Sequence, residues 1–186
     1  DSHNINLVSP THVIPFILEA LELAVSMNLH LPLVYNSGGY DSVETLKLLD
    51  GIVDIYLPDL KYSDNRLALK YSGAGDYVEN SRSAVLEMWR QVGNLKVDEG
   101  GIAKRGVLIR HLILPKNIAG SYTTLKFIAE ELSPDATISI MAQYFPAHKA
   151  GMYPEINTPI NEDEYEGVLE ILESLGMEKN VYVQSL

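Results

Sequence analysis

Residues 107–114 read VLIRHLIL, an unbroken strand-like run that ends at Pro115. Six runs of this kind alternate with segments of helical periodicity along the 186 residues. The other five are residues 4–9, 31–35, 52–57, 137–141 and 180–184. Continuously apolar strands joined by helices are typical of a parallel sheet that helices cover. We therefore predict an α/β fold.

The number of repeats limits which α/β fold this can be. A complete eight-fold β/α barrel usually needs ~250 residues, and about 31 residues per unit allow only six units here. The shape is therefore either an incomplete barrel or a doubly wound sheet. The chain has no Gly-x-Gly-x-x-Gly after its first strand and no Walker-type loop, which argues against dinucleotide and P-loop sites. We predict one domain over residues 1–186.

Composition excludes several functional classes. The 14 Lys and Arg against 25 Asp and Glu give a net charge of −11, which disfavours nucleic acid and anionic membranes as partners. No run reaches the ~18 apolar residues of a membrane span, and the first residues lack a signal-peptide pattern, so we predict a cytoplasmic protein. The absence of Cys excludes disulfides, thiol nucleophiles and an iron-sulfur cluster held by thiolates of this chain.

Polar residues cluster where the predicted strands end, and in parallel β/α folds the carboxyl ends of the strands form the ligand site. These residues are Ser9, Thr11 and His12, Asn36 and Ser37, Asp59 and Lys61, Arg110 and His111, and Gln143, Tyr144 and His148. Several have a structural alternative. Thr11 could cap a helix, Ser37 could belong to a glycine turn, and His111 could be a core histidine with satisfied nitrogens. Asp41 and Glu44 are interpreted as a capping box that opens a short helix.

The third and fourth strands carry charge among apolar residues. Asp59 and Lys61 have the same parity as Leu57, so they point to the interior face of the sheet if Pro58 does not break the pleat. Arg110 lies between Leu108 and Leu112 on its own face. A buried guanidinium suits capture of a carboxylate, so these charges predict an anionic small molecule. The alternative is a buried ion-pair network with no ligand.

Five segments together resemble a known family. They are NINLVSPTH (4–12), YNSGGY (35–40), DIYLPDLKY (54–62), RHLILP (110–115) and IMAQY (140–144). Their order and spacing resemble the radical S-adenosylmethionine superfamily, in particular homologues of pyruvate formate-lyase activating enzymes. The resemblance implies an incomplete six-fold parallel β/α barrel and reductive cleavage of S-adenosylmethionine by a [4Fe-4S] cluster to a 5′-deoxyadenosyl radical. In activating enzymes the partner is a glycyl-radical enzyme.

The resemblance also assigns cofactor-binding residues. Asp59 and Lys61 match the family's Asp-Leu-Lys segment, which holds the methionine moiety and a nearby cation, and Arg110 matches an arginine near the cofactor. Asn36 stands where activating enzymes carry a cation-binding aspartate, with Ser37 beside it. The remaining candidates are Ser9 and Thr11, in the place of a Gly-Gly-Glu segment that is absent here, and Gln143 and Tyr144 after the fifth predicted strand. Tyr144 and His148 match the family's sixth-strand segment. From the sequence we assign no catalytic residue and no metal ligand.

The chain lacks the CxxxCxxC motif of the family. We therefore expect a C-terminal fragment, truncated at its N-terminus, that is inactive alone and whose parent protein binds S-adenosylmethionine and the cluster. The strand at residues 4–9 is then an open sheet edge prone to self-association. Two alternatives remain: a non-catalytic small-molecule-binding domain, and a lyase or aldolase that uses Lys61 as a Schiff-base amine.

Overall fold

The computed structural model describes residues 2–184, so Asp1, Ser185 and Leu186 lie outside it. Within that range, strands and helices alternate as the sequence predicts. The strands are β1 (Ile5–Val8), β2 (Leu33–Ser37), β3 (Ile55–Leu60), β4 (Lys96–Val97), β5 (Ala103–Val107), β6 (Ile109–Leu112), β7 (Ile138–Met141) and β8 (Val181–Val183). The α-helices are α1 (Ile14–Ser26), α2 (Val43–Lys47), α3 (Asn65–Ser72), α4 (Tyr77–Val92), α5 (Ser121–Glu131) and α6 (Glu162–Ser174).

The sheet is parallel and its strands follow chain order, β1-β2-β3-β6-β7-β8, with β5 beside the first half of β3. Because every connection advances in the same direction with the same hand, the helices all lie on one face, as in the wall of a barrel. This order excludes the doubly wound alternative, whose strand order reverses. Since β1 and β8 do not pair, the barrel is open, and the predicted incomplete parallel β/α barrel is confirmed.

Two boundaries differ from the sequence prediction. The third strand continues through Pro58 to Leu60, because β3 changes neighbours at that point, from β5 at Tyr56 to β6 at Asp59. The missing N–H of proline therefore falls in a gap between two ladders. The predicted strand 107–114 is split at Leu108. Val107 is the last residue of β5, which begins at Ala103 and forms an antiparallel hairpin with the two-residue strand β4, whereas residues 109–112 form β6.

Side chains on the helix-covered face form the main core. Tyr35 and Tyr56 on adjacent strands lie 5.6 Å apart between ring centroids and are at most 1% exposed. Met88 of α4 and Ile128 of α5 belong to the same cluster, and both are fully buried. The opposite face, which would be the barrel interior, is only half covered: Asn36, Leu57, Arg110, Leu112 and Ser139 are all partly exposed. The fold therefore leaves its polar strand ends open on that side.

The first strand lies at a sheet edge, as predicted, and pairs only with β2 in the described part of the chain. The alternative, that residues 180–184 fold back onto it, is wrong because β8 pairs with β7. Beside this edge, α1 exposes an apolar stripe: Phe16 is 70%, Leu23 68% and Met27 82% exposed. No helix in residues 2–184 is long and apolar enough to cross a membrane.

Self-association through this edge stays a prediction that can be tested directly. Burying a Leu or Phe side chain contributes about 1.5–3 kcal/mol, so charging the stripe should weaken the contact strongly. We expect the double variant Phe16→Glu, Leu23→Glu to raise the dissociation constant of the oligomer at least about tenfold in sedimentation equilibrium. Leu48→Glu, at a site that is 62% exposed after α2, is the matched control. A wild-type chain that stays monomeric at every concentration contradicts the prediction.

Candidate functional site

A cleft of about 340 Å³ opens at the carboxyl edge of the sheet, beyond the ends of β3, β6 and β7. Its walls combine three charged side chains with apolar and aromatic ones. They are Asp59, Lys61, Arg110, Leu112, Met141, Gln143, Tyr144 and Phe145. The cleft thus contains five of the nine residues predicted to bind the cofactor, and the structure brings these five together from three strands.

An ion cluster forms the centre of the cleft. Register pairs Asp59 of β3 with Arg110 of β6, so both side chains project from the same face. The Asp59 carboxylate lies 3.0 Å from Lys61 Nζ and 2.5 Å from Arg110 Nη2. Arg110 also donates a hydrogen bond of 2.8 Å to Asn36 Oδ1 on β2. Two cations against one carboxylate leave the cluster with a net charge of +1.

Part of this cluster is unsatisfied. Arg110 Nε is buried and has no hydrogen-bond partner among the described residues. Asp59 Oδ1 is also buried, and its short contact with Arg110 is an ion pair without hydrogen-bond geometry. Leaving a buried polar group unpaired costs about 1–3 kcal/mol. An anionic ligand in the cleft could accept from Nε and balance the excess positive charge.

A tyrosine of α4 holds the end of β3 in place. The Tyr77 hydroxyl donates to the carbonyl oxygen of Asp59 at 3.1 Å and accepts from the backbone N–H of Lys61 at 2.9 Å. Burial raises the pKa of Tyr77, so the hydroxyl keeps its proton for the first of these bonds. The ring stacks on Tyr40 with centroids 5.9 Å apart. The positions of Asp59 and Lys61 are therefore set by backbone contacts with a buried side chain.

The loop after β2 approaches the same strand end very closely. Gly39 has φ +76°, and a Cβ atom placed there would lie 2.2 Å from the carbonyl oxygen of Asp59. Only glycine permits both this dihedral angle and this contact. Gly38 lies beside the Lys61 ammonium: a Cβ atom placed at residue 38 would lie 3.9 Å from Lys61 Nζ. The glycine pair thus packs the loop over the base of the cleft.

Thr11 and Ser37 belong to a second polar cluster and do not line the cleft. Thr11 Oγ1, Tyr35 OH and Ser37 Oγ all donate to the Asp41 carboxylate, at 2.7, 2.8 and 2.6 Å. Asp41 is only 4% exposed. The capping-box interpretation of Asp41 is wrong, because Ser42 caps α2 by accepting from the backbone N–H of Thr45. Sequence reasoning missed this role, and the only signal for it was a carboxylate surrounded by small hydroxyl residues.

The remaining candidates divide between the cleft and its surroundings. Ser9 is exposed in a left-handed turn with φ 51°, and its backbone N–H donates to Asn36 O. Gln143 is exposed at the mouth of the cleft. The ring of Tyr144 lines the cleft, and its hydroxyl donates at 2.7 Å to the carbonyl oxygen of Ile156. Burial raises the pKa of Tyr144.

His111 lies on the opposite, helix-covered face and is fully buried. Its Nδ1 is 2.8 Å from Leu60 O, and its Nε2 is 2.9 Å from Ser121 Oγ. Since a carbonyl only accepts, Nδ1 carries the proton and Nε2 accepts from the serine. Burial lowers the pKa of His111 to about 4. The structure therefore supports the core-histidine reading of this residue.

Ligands for a [4Fe-4S] cluster are not found in this part of the molecule. The sequence has no Cys, and residues 2–184 contain no group of three or more His, Asp or Glu side chains placed to hold a metal ion. The residues described here therefore do not fit an iron-sulfur cluster, whereas the cleft fits a small charged molecule.

Comparison with known proteins shows the fold. A domain of pyruvate-formate lyase-activating enzyme from Bacteroides vulgatus superposes with a TM-score of 0.66 at 14% identity, covering 99% of this chain and 100% of that domain. The two chains share one fold. In sequence, the chain is 31% identical over 180 residues to the uncharacterized protein MJ0674 of Methanocaldococcus jannaschii. The match covers 95% of this chain and 48% of that protein, so the chain spans about half of its relative. No protein-family model matches.

Proposed function

We propose that the cleft around Asp59, Lys61 and Arg110 binds S-adenosylmethionine and that the chain is part of a radical S-adenosylmethionine core in a longer protein. The observation that carries the binding role is the buried, unpartnered Nε of Arg110 in a cluster of net positive charge. The shared fold with a domain of an activating enzyme supports the assignment. So do the five segments that resemble the superfamily.

The residues suit the two ends of an amino-acid group. Arg110 and Lys61 would hold the carboxylate through charge-assisted hydrogen bonds, and Asp59 would accept from the amine. Leu112 and Met141 offer apolar surface in the same cleft. When bound beside a reduced cluster, S-adenosylmethionine supplies a 5′-deoxyadenosyl radical. The thiolates for that cluster come, in this proposal, from another part of the longer protein, and the partner that receives the radical is a glycyl-radical enzyme.

The second candidate is a non-catalytic domain that binds a different small anion in the same cleft. It is favoured by the absence of cluster ligands in the residues described. The upstream reading frame distinguishes the two, because a CxxxCxxC motif within about 100 preceding residues supports cluster chemistry. The Schiff-base alternative is weaker, since Lys61 forms a 3.0 Å ion pair with Asp59 and a nucleophilic amine must be uncharged.

The Arg110→Ala variant tests the binding role. In isothermal titration calorimetry on the cluster-reconstituted parent protein, we expect the affinity of this variant for S-adenosylmethionine to fall by about 1.5–3 kcal/mol, the contribution of a hydrogen bond to a charged group. Arg105→Ala is the matched control, because the Arg105 guanidinium on β5 donates to the backbone oxygen of Gln91 and lies outside the cleft. Equal affinities of wild type and Arg110→Ala would refute the assignment.

A further inference from the structure

A larger cavity of about 630 Å³ lies next to the cleft, between α3 and the segment that follows β7. Five of its lining residues are tyrosine or phenylalanine: Tyr62, Tyr71, Tyr144, Phe145 and Tyr153. We call this cavity the aromatic chamber. Its volume lies within the range of about 300–1,000 Å³ that is usual for small-molecule sites. Neither the fold nor the ion cluster requires such a chamber.

The chamber walls are held rigid by their own hydroxyl groups. Tyr62 OH is hydrogen-bonded to Ser72 Oγ at 3.0 Å, and Tyr71 OH donates to Glu155 at 2.7 Å. Tyr144 OH is bound to the backbone of the same segment. These bonds orient the three rings, so the chamber presents aromatic faces. A wall ordered before binding favours a flat apolar ring, because little conformational entropy is lost when the ring enters.

The charge of the chamber is opposite to that of the whole chain. Lys70 and Lys149 line it, and the described part of the chain contributes no Asp or Glu to the lining, although the chain has a net charge of −11. Lys70 is paired with Glu155 and lies over the rings of Tyr71 and Tyr153. Lys149 is exposed and forms no ion pair within residues 2–184. The chamber therefore offers one free ammonium group for an anionic substituent.

The chamber and the cleft are neighbours. Tyr144 and Phe145 line both, and Phe145 is 79% exposed, an unusual position for a large apolar side chain. A ligand in the chamber would cover the Phe145 ring. Tyr144 and Phe145 would then lie between this ligand and the ion cluster.

We propose that the aromatic chamber binds a small carboxylate that carries a flat aromatic ring, with its ring against the tyrosine and phenylalanine faces and its carboxylate on Lys149. This site goes beyond the proposed function and does not depend on it. As a binding site, it stands on its own geometry.

Three matched ligands test the chemistry: phenylacetate, its neutral isostere phenylacetamide, and the non-aromatic cyclohexylacetate. In ligand-titrated NMR spectra of the chain, we expect phenylacetate to bind at least about fivefold more tightly than either analogue, since both charge and ring contribute. Phe145→Ala and Lys149→Gln should each weaken phenylacetate binding by a similar factor. Lys47→Gln, an exposed lysine on α2, is the control and should leave it unchanged.

The same variants separate this site from the cleft. Arg110→Ala should leave phenylacetate affinity unchanged, and Lys149→Gln should leave S-adenosylmethionine affinity unchanged. Binding of phenylacetate without binding of S-adenosylmethionine, both measured on the cluster-reconstituted parent protein, supports the chamber and overturns the cofactor assignment. Three results would each overturn the chamber as a distinct site. They are equal binding of the three ligands, no saturable binding of phenylacetate, and loss of binding of both phenylacetate and S-adenosylmethionine in one variant. Circular dichroism on each variant verifies that it is folded.

Discussion

The Gly39→Ala variant is expected to lose at least about 3 kcal/mol of its free energy of unfolding in urea denaturation. The left-handed dihedral angle of residue 39 alone costs a non-glycine residue about 1–2 kcal/mol. In addition, the new methyl group would meet the carbonyl oxygen of Asp59 at 2.2 Å, and backbone cannot move aside as a flexible side chain can. Relief of the clash must displace either the loop or the end of β3. Binding of S-adenosylmethionine should fall as well, because Asp59 and Lys61 lie on that strand end.

Gly51→Ala is the matched control for this variant. Gly51 has φ +79°, nearly the same as Gly39, but nothing lies within 4 Å of a Cβ at that position. It should therefore lose only the conformational part, about 1–2 kcal/mol, and keep its ligand affinity. If the two variants are equally stable, the close approach of the loop to β3 is not the constraint we describe.

Acid should destabilise the protein through His111. Burial lowers the pKa of this histidine to about 4 in the folded chain, whereas the ordinary value is about 6.5. Between these values the unfolded chain binds a proton that the folded chain does not, so the free energy of unfolding falls as pH drops from about 6.5 to about 4. The loss of unfolding free energy reaches about 3 kcal/mol near pH 4 and is absent above about pH 6.5. Urea denaturation at a series of pH values measures it.

His111→Gln isolates this contribution. The glutamine amide offers a donor and an acceptor for Leu60 O and Ser121 Oγ but does not titrate. Carboxylates titrate in both proteins, so the difference between the two stability curves reports the histidine alone. We expect that difference to change between pH 6.5 and 4. Parallel curves over that interval would show that the pKa of His111 is the same in the folded and the unfolded chain, which would contradict the prediction.

The fold class follows from local patterns in the sequence. Consecutive apolar residues indicate a strand that is buried on both sides, and apolar residues three and four positions apart indicate a helix. Both patterns can be recognised without knowing which elements pack against them. This is why the six strands and the helices between them could be predicted. The order of the strands in the sheet does not follow from these patterns, because an incomplete barrel and a doubly wound sheet share the same alternation. The same parity rule indicated that Asp59 and Lys61 share one face of β3. It also indicated that Arg110 interrupts the apolar run of β6.

Contacts between distant segments depended on the tertiary structure. Pro58 could remain inside β3 only because its neighbour strand changes there, and the two-residue strand β4 is too short to leave a periodic signal. The partners of Asp41 are Thr11, which precedes α1, and Tyr35 and Ser37 of β2, so local sequence suggested a helix cap instead. The aromatic chamber likewise joins α3 to a segment more than 70 residues away.

The sequence by itself determined which residues form strands, which form helices and which strands carry charged residues. These properties depend on residues that are close together in the chain. The tertiary structure alone decided that Asp59 meets Arg110 and Asn36, that Arg110 Nε stays unpaired, and that Tyr144 and Phe145 separate two binding spaces. These depend on strand register and loop packing. Such contacts are set by the burial of the whole core, which no short stretch of sequence encodes.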